Sequence, residues 1–228
     1  MKHLVFWFDV ISPYAYLAFE RLPQALEGLT YSVEYRPVLF AGLLQHWGQK
    51  GPAEIEPKRA WTFRQVAWLA AQQGTRLDAP VQHPFNPLAV LRLLTAAGAN
   101  RRTSELAFHH VWHGGGDAND PARLEALRAA LAPSRDPQSA DVKDELRAAT
   151  QAAIDRGVFG VPTIECEEGR SAAPGRSEVA DAPGRLFFGV DGLPMLAACM
   201  RGDAWFDGGA WDEAARPRPG VQRRPAAT

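Results

Sequence analysis

His3-Leu4-Val5-Phe6-Trp7-Phe8-Asp9-Val10-Ile11-Ser12-Pro13-Tyr14-Ala15-Tyr16 is the stretch that decides the fold. Residues 3–8 are short and almost continuously apolar and aromatic, the pattern of a strand buried on both faces. Ser12-Pro13 joins a capping side chain to a proline at the first helical position, so a helix starts there and is expected to run to about Glu27. Tyr31-Ser32-Val33-Glu34-Tyr35-Arg36 then alternates apolar and polar with period two, which makes it a second strand. Strand, helix and strand in this order form a βαβ unit, whose two strands pair in parallel.

Working outward, residues 40–157 offer no strand candidate. Helices are expected over 57–73, from Asn86-Pro87 to about Ala97, and over 102–113, 120–132 and 138–156, with Asp120-Pro121 and Pro137-Gln138 as further starts. Strand character returns at 161–166 and at Arg185-Leu186-Phe187-Phe188, and Gly192 to Met200 suits a short last helix. Strands at both ends with helices between them imply a discontinuous α/β domain, residues 1–40 and 157–213, carrying an inserted helical domain, residues 41–156. Residues 167–184 are Gly, Ala, Pro, Ser and charge, the composition of a long hairpin loop. The segment 214–228 holds Pro217, Pro219 and Pro225 with four arginines and is expected to be a disordered tail.

Composition removes several function classes. With 228 residues, 46% hydrophobic and 22% charged, the chain can bury a core without disulfides or metals. Lys and Arg number 25 against 26 Asp and Glu, so there is none of the basic excess of a nucleic-acid binder. No apolar run nears the roughly 20 residues of a membrane span, and the run ending at Phe8 is too short for a signal-peptide core. A cytoplasmic protein with neither nucleic-acid nor membrane partners is expected. Cys166 and Cys199 have no metal-ligand spacing and read as buried, reduced thiols. His109 and His113 would share a helix face, with His110 between, but no HExxH pattern accompanies them. A polar helix end is expected there, and no metal.

Two short segments carry chemistry. Ser12 places a hydroxyl at a helix N-terminus, where unpaired N–H groups and the positive end of the helix dipole stabilise an anion. It can donate to a thiolate, or it can simply cap the helix. In Gly160-Val161-Pro162-Thr163 a proline opens a strand behind a β-branched residue. A cis bond there would turn the backbone of Val161 outward, able to pair with an extended peptide as an added strand does.

Together these features resemble the thioredoxin fold of DsbA-like proteins: α/β, thioredoxin-like, with an inserted all-helical domain. In the disulfide oxidoreductases of that fold the helix start is Cys-x-x-Cys. Here it is Ser12-Pro13-Tyr14-Ala15, so thiol–disulfide exchange, which needs an attacking thiolate, is excluded. Phe8 through Tyr16, Phe85-Asn86-Pro87-Leu88-Ala89, Gly157 through Thr163, and Leu186-Phe187-Phe188-Gly189-Val190-Asp191 are similar to motifs of 2-hydroxychromene-2-carboxylate isomerases and the related kappa-class glutathione transferases. The matches span residues 4 to about 200.

The resemblance implies glutathione as cofactor, a small aromatic acid as substrate, and a homodimer. Ser12 would hydrogen-bond the glutathione sulfur. Val161, before a cis Pro162, would pair with the cysteinyl unit, Asp191 and the backbone of Val190 would hold the γ-glutamyl ammonium, and Lys58 would face the glycine carboxylate. Tyr14, Trp47, Phe85 and Trp7 either line an apolar cleft or pack in the core, and Asn86 either enters that cleft or caps its helix. The implied reaction is isomerisation by reversible thiolate addition. A kappa-like transferase or peroxidase, and a redox-inactive binding module, are the alternatives. The chain departs from the pattern at Asp191-Gly192-Leu193, where Asp-Arg-Leu is usual, at Gln49, where an asparagine is common, and in the length of the 167–184 loop.

Overall fold

A computed structural model describes residues 1–167 and 184–216. The chain opens with β1 (Lys2–Phe8), α1 (Pro13–Ala25) and β2 (Tyr31–Pro37), followed by α2 (Phe40–His46), α3 (Glu56–Gln73), α4 (Leu88–Ala97), α5 (Arg101–Trp112), α6 (Pro121–Leu131) and α7 (Ala140–Asp155). It then returns to β3 (Thr163–Glu167) and β4 (Arg185–Phe188), and ends in α8 (Leu193–Met200), α9 (Ala204–Asp207) and α10 (Ala210–Ala214). The sheet order is β2-β1-β3-β4. β1 and β2 run parallel, Leu4 opposite Val33 and Phe6 opposite Tyr35, whereas β3 is antiparallel to both β1 and β4. β1 is thus an interior strand with both faces covered, and Leu4 to Phe8 are all buried.

The helix starts follow local capping. Asn100 accepts from Thr103 N while the Thr103 hydroxyl accepts from Asn100 N, and Asp120 accepts from Arg123 N ahead of Pro121. One buried cluster joins the sheet, α1 and the helices that follow β2. Phe108 of α5 lies 5.0 Å from Phe19 and 5.1 Å from Phe8 between ring centroids, and the Trp112 indole donates to Val10 O at 2.9 Å. On the other sheet face Val5, Trp7, Val38, Ala153, Val158 and Val161 form a second cluster.

Trp7 is therefore core and not cleft: it is fully buried, and its indole donates to Glu165 Oε2 at 3.2 Å. An inward position on an interior strand leaves no other place for it. Glu165 is itself fully buried and is held by Arg156 and by the N–H of Gly184. α1 stops two residues short of the expected end, and α2 already includes Phe40. α9 and α10 were not expected. Each is shorter than two turns, too short for periodicity to register, and they pack Phe206 and Trp211 against Phe187. The expected loop 167–184 lies outside the described residues except at its two ends, as does the expected tail beyond Arg216. No helix among the described residues is long and apolar enough to cross a membrane.

Candidate active site

Ser12 sits where β1 has ended and α1 begins, 7% exposed. Its Oγ accepts from Ala15 N at 3.2 Å, as a capping oxygen does, and its hydroxyl reaches Val161 O, also at 3.2 Å. One oxygen thus caps the helix and donates across to the strand opposite. Pro13 has no N–H and Tyr16 N bonds Ser12 O, so the Tyr14 N–H is the first-turn donor these bonds leave over. The Val161–Pro162 peptide is cis, and Gly189 N donates to Pro162 O at 2.9 Å. This latches β4 and the turn that follows it to the proline loop. The two segments singled out from sequence, 149 residues apart, are in direct contact.

Two cavities meet at this junction. A groove of about 620 Å³ runs between α1, α3 and α8, with Val161, Pro162, Val190 and Asp191 at one end and Arg21 and Arg201 among its walls. On the other side of the first turn of α1 lies an apolar cavity of about 240 Å³, walled by Ile11, Phe40, Leu44, His83 and Phe85, with Ser12 at its edge. Tyr14 is common to both. Its hydroxyl donates to Gln65 Oε1 at 2.6 Å, and burial raises its pKa, so the phenol stays neutral.

The structure therefore brings together Ser12, Tyr14, Phe85, Val161, Pro162, Val190 and Asp191. It leaves three expected residues outside both cavities. Lys58 is exposed in the first turn of α3 and walls neither. Trp47 stays half-exposed, with its indole donating to Val158 O at 3.0 Å. Asn86 walls neither cavity, and its Oδ1 accepts from the N–H of Leu88, the first residue of α4, at 3.1 Å. The cations that do line the groove are Arg21 and Arg201, and Gln73 Oε1 in its wall is buried without a hydrogen-bond partner.

Two residues of the site were missed. Asp9 is fully buried, its oxygens accepting from Ile11 N at 3.0 Å and Phe40 N at 2.9 Å, which ties the entrances of α1 and α2 together. Burial drives its pKa up to about 7 against the pull of those two bonds. A lone acid between an apolar strand and a cap was a readable signal. His83 lies behind a cis peptide to Pro84 and contacts Ile11 O through Nε2 at 2.9 Å. Nothing in its sequence spacing marked it. The histidines of α5 form a packed helix end: His109 stacks on His113 with 4.0 Å between centroids, and the Tyr16 hydroxyl meets His113 Nε2 at 2.9 Å. His109 also lies beside Glu20 and Glu105, an acidic and imidazole cluster between α1 and α5.

Comparison with known proteins gives the same assignment. The family model described as a DSBA-like thioredoxin domain matches residues 3–201. The rat protein named glutathione S-transferase kappa 1 is 25% identical over 224 residues, covering 89% of this chain and 92% of that one. The 2-hydroxychromene-2-carboxylate isomerase of Pseudomonas sp. (strain C18) is 30% identical over 174 residues, 70% of this chain and 79% of that protein. A solved 2-hydroxychromene-2-carboxylate isomerase superposes with a TM-score of 0.67 at 22% identity, covering 91% of this chain and 98% of the other. With its serine at the helix start and its cis proline opposite, the chain belongs to the DsbA-like thioredoxin family, in the group that includes 2-hydroxychromene-2-carboxylate isomerases and kappa-class glutathione transferases.

Proposed function

We propose that the protein is a glutathione-dependent isomerase of 2-hydroxychromene-2-carboxylate-type aromatic acids. The observation that carries this reading is the Ser12 hydroxyl at the edge of an apolar cavity, 3.2 Å from the Val161 carbonyl before a cis proline, where a larger groove carrying Asp191, Arg21 and Arg201 begins. The groove suits a charged tripeptide: it has a carboxylate in Asp191, cations in Arg21 and Arg201, and an unsatisfied acceptor in Gln73 Oε1. When bound, glutathione supplies a nucleophilic thiolate whose reversible addition to an activated double bond permits rotation about it.

The chain's own residues do the rest. Ser12 exchanges its bond to Val161 O for one to sulfur, favouring the anion together with the helix dipole. The backbone of Val161 aligns the cysteinyl unit as an added strand. Asp191, with the backbone of Val190, holds the γ-glutamyl ammonium. Arg21 and Arg201 are the groove's cations for a carboxylate, and Lys58, expected in that place, lies outside the groove. Ile11, Phe40 and Phe85 exclude water from the aromatic acceptor, and Tyr14 separates the two ligands.

A kappa-like transferase, in which the adduct is released, is the second reading, supported by the comparable match to the rat relative. Incubation with 2-hydroxychromene-2-carboxylate and reduced glutathione separates the two. Conversion to the isomer with free thiol undiminished is the expected result. Thiol loss in step with product indicates the transferase, and no conversion in the presence of glutathione removes the isomerase reading.

A further inference from the structure

Phe40 and Pro87 wall the apolar cavity beside Ser12, and their chain neighbours Leu39 and Leu88 wall a separate cleft of about 380 Å³ between α2, α4 and α7. Where α2 meets α7 in its wall, a Cβ on Gly42 would lie 3.0 Å from Thr150 Cγ2, and Thr150 Oγ1 accepts from Leu39 N at 3.0 Å. Leu39, Leu88, Leu146 and Ile154 give the cleft an apolar surface, and Arg92, Lys143 and Arg147 give it three cations. Among the described residues no carboxylate lines it. The nearby acids of α7 are engaged elsewhere: Asp141 and Glu145 pair with Arg135, and Asp144 pairs with Arg147. That leaves two cations. Lys143 is half-buried and has no bond or ion pair among the described residues. Arg92 is half-buried as well, and its Nη1 reaches Gln138 Oε1 only at 3.5 Å, a marginal hydrogen bond. Its Nε is packed against the protein without a partner, while its Nη2 is neither buried nor bonded to a described residue, so a terminal nitrogen is open to a guest.

We propose that this cleft is a second binding site, for a small organic anion that joins a carboxylate to an apolar body. The carboxylate pairs with the terminal nitrogens of Arg92, whose planar fork matches its geometry, and Lys143 adds its charge. The body lies on the four aliphatic side chains and removes their exposed surface from water. A neutral molecule of the same shape leaves the two cations without a counter-charge, and a small hydrophilic anion leaves the apolar surface wet. Charge and apolar body are therefore both required.

The test is an amide-resolved nuclear magnetic resonance titration of the full chain with octanoate and with octanamide, probes of one shape that differ in charge. Octanoate is expected to shift the amides of Gly42, Leu88 and Thr150 saturably, and to bind there about fivefold more tightly than octanamide. Arg92→Gln combined with Lys143→Gln should bring octanoate down to the level of octanamide. Lys143→Gln alone, at a position with no partner to lose, should weaken octanoate about twofold and supplies the comparison if the double variant does not fold. Absence of saturable shifts at these amides, shifts confined to the cavity beside Ser12, or equal affinity of wild type for the two probes overturns the assignment. So does octanoate binding that neither substitution weakens.

Discussion

Ser12 fills both of its bonding roles with a single oxygen, which is why its removal should act on turnover more than on folding. Ser12→Ala loses a helix cap, about 1 kcal/mol of stability, a fraction of what a domain of this kind carries. Under the proposed mechanism it also loses the donor to the sulfur, and removal of one such donor to a developing anion costs on the order of 10²-fold in turnover. Thermal unfolding and isomerisation kinetics on the same sample measure both. Asp9 makes a prediction of opposite emphasis. Its folded pKa, about 7, stands above the unfolded value of 3.8, so the native state holds the proton more tightly. Its contribution to stability is complete below 3.8 and is lost as pH rises through about 7. The melting temperature of wild type should therefore fall relative to Asp9→Asn across that window and run parallel to it outside. Parallel curves throughout would show that Asp9 titrates normally. His83 escaped the sequence reading because its role comes from burial and from a backbone partner, which no spacing encodes, whereas Asp9, a lone acid between an apolar strand and a cap, was legible and was passed over.

The elements that position the site are held by pairs of interactions distant in sequence. The bend leading into β3 presents Val161 and Pro162 to Ser12, and the anchor of β3 is Glu165, fully buried and bonded to Arg156, to Trp7 and to Gly184 N. Arg156→Ala leaves that carboxylate without its counter-charge, and breaking such a pair costs about 3 kcal/mol. Urea unfolding should show this as a lower midpoint with an unchanged slope. The turn after β4 depends on Gly189, whose φ of +83° L side chains rarely adopt and whose added Cβ would lie 2.3 Å from Asp191 Oδ1. Gly189→Ala should therefore weaken glutathione binding by displacing Asp191, beyond any loss of stability, and calorimetry of the folded variant checks it. Most elements were legible: β1, β2 and the helices after Pro57, Pro87 and Pro121 declare themselves by alternation or by cap and proline. α9 and α10 were not, since their packing onto Phe187 is tertiary and their sequence too short to carry a period.

Across the whole molecule, sequence order and spatial order diverge, and the site is built from the divergence. β1 ends at Phe8, four residues before Ser12, and β3 begins behind Pro162, so placing β3 beside β1 brings helix start and proline loop together whatever the length between them. That part of the site was legible once the two strands were assigned to one sheet. The walls were not. Lys58 is implied by the family resemblance and Trp47 by its aromatic character, yet which side of α3 or of the turn after α2 faces the groove is decided by packing between helices, and it is Arg21 and Arg201 that line it. The central claim, that Ser12 and the N-terminus of α1 hold a thiolate, is tested most directly by ultraviolet titration of glutathione bound to wild type and to Ser12→Ala. The thiol bound to wild type should ionise well below its free value of about 8.5, and Ser12→Ala should raise it by about one pH unit, equal to about 1.4 kcal/mol of lost preference for the anion. Identical ionisation in both proteins, or at the value of free glutathione, contradicts the account.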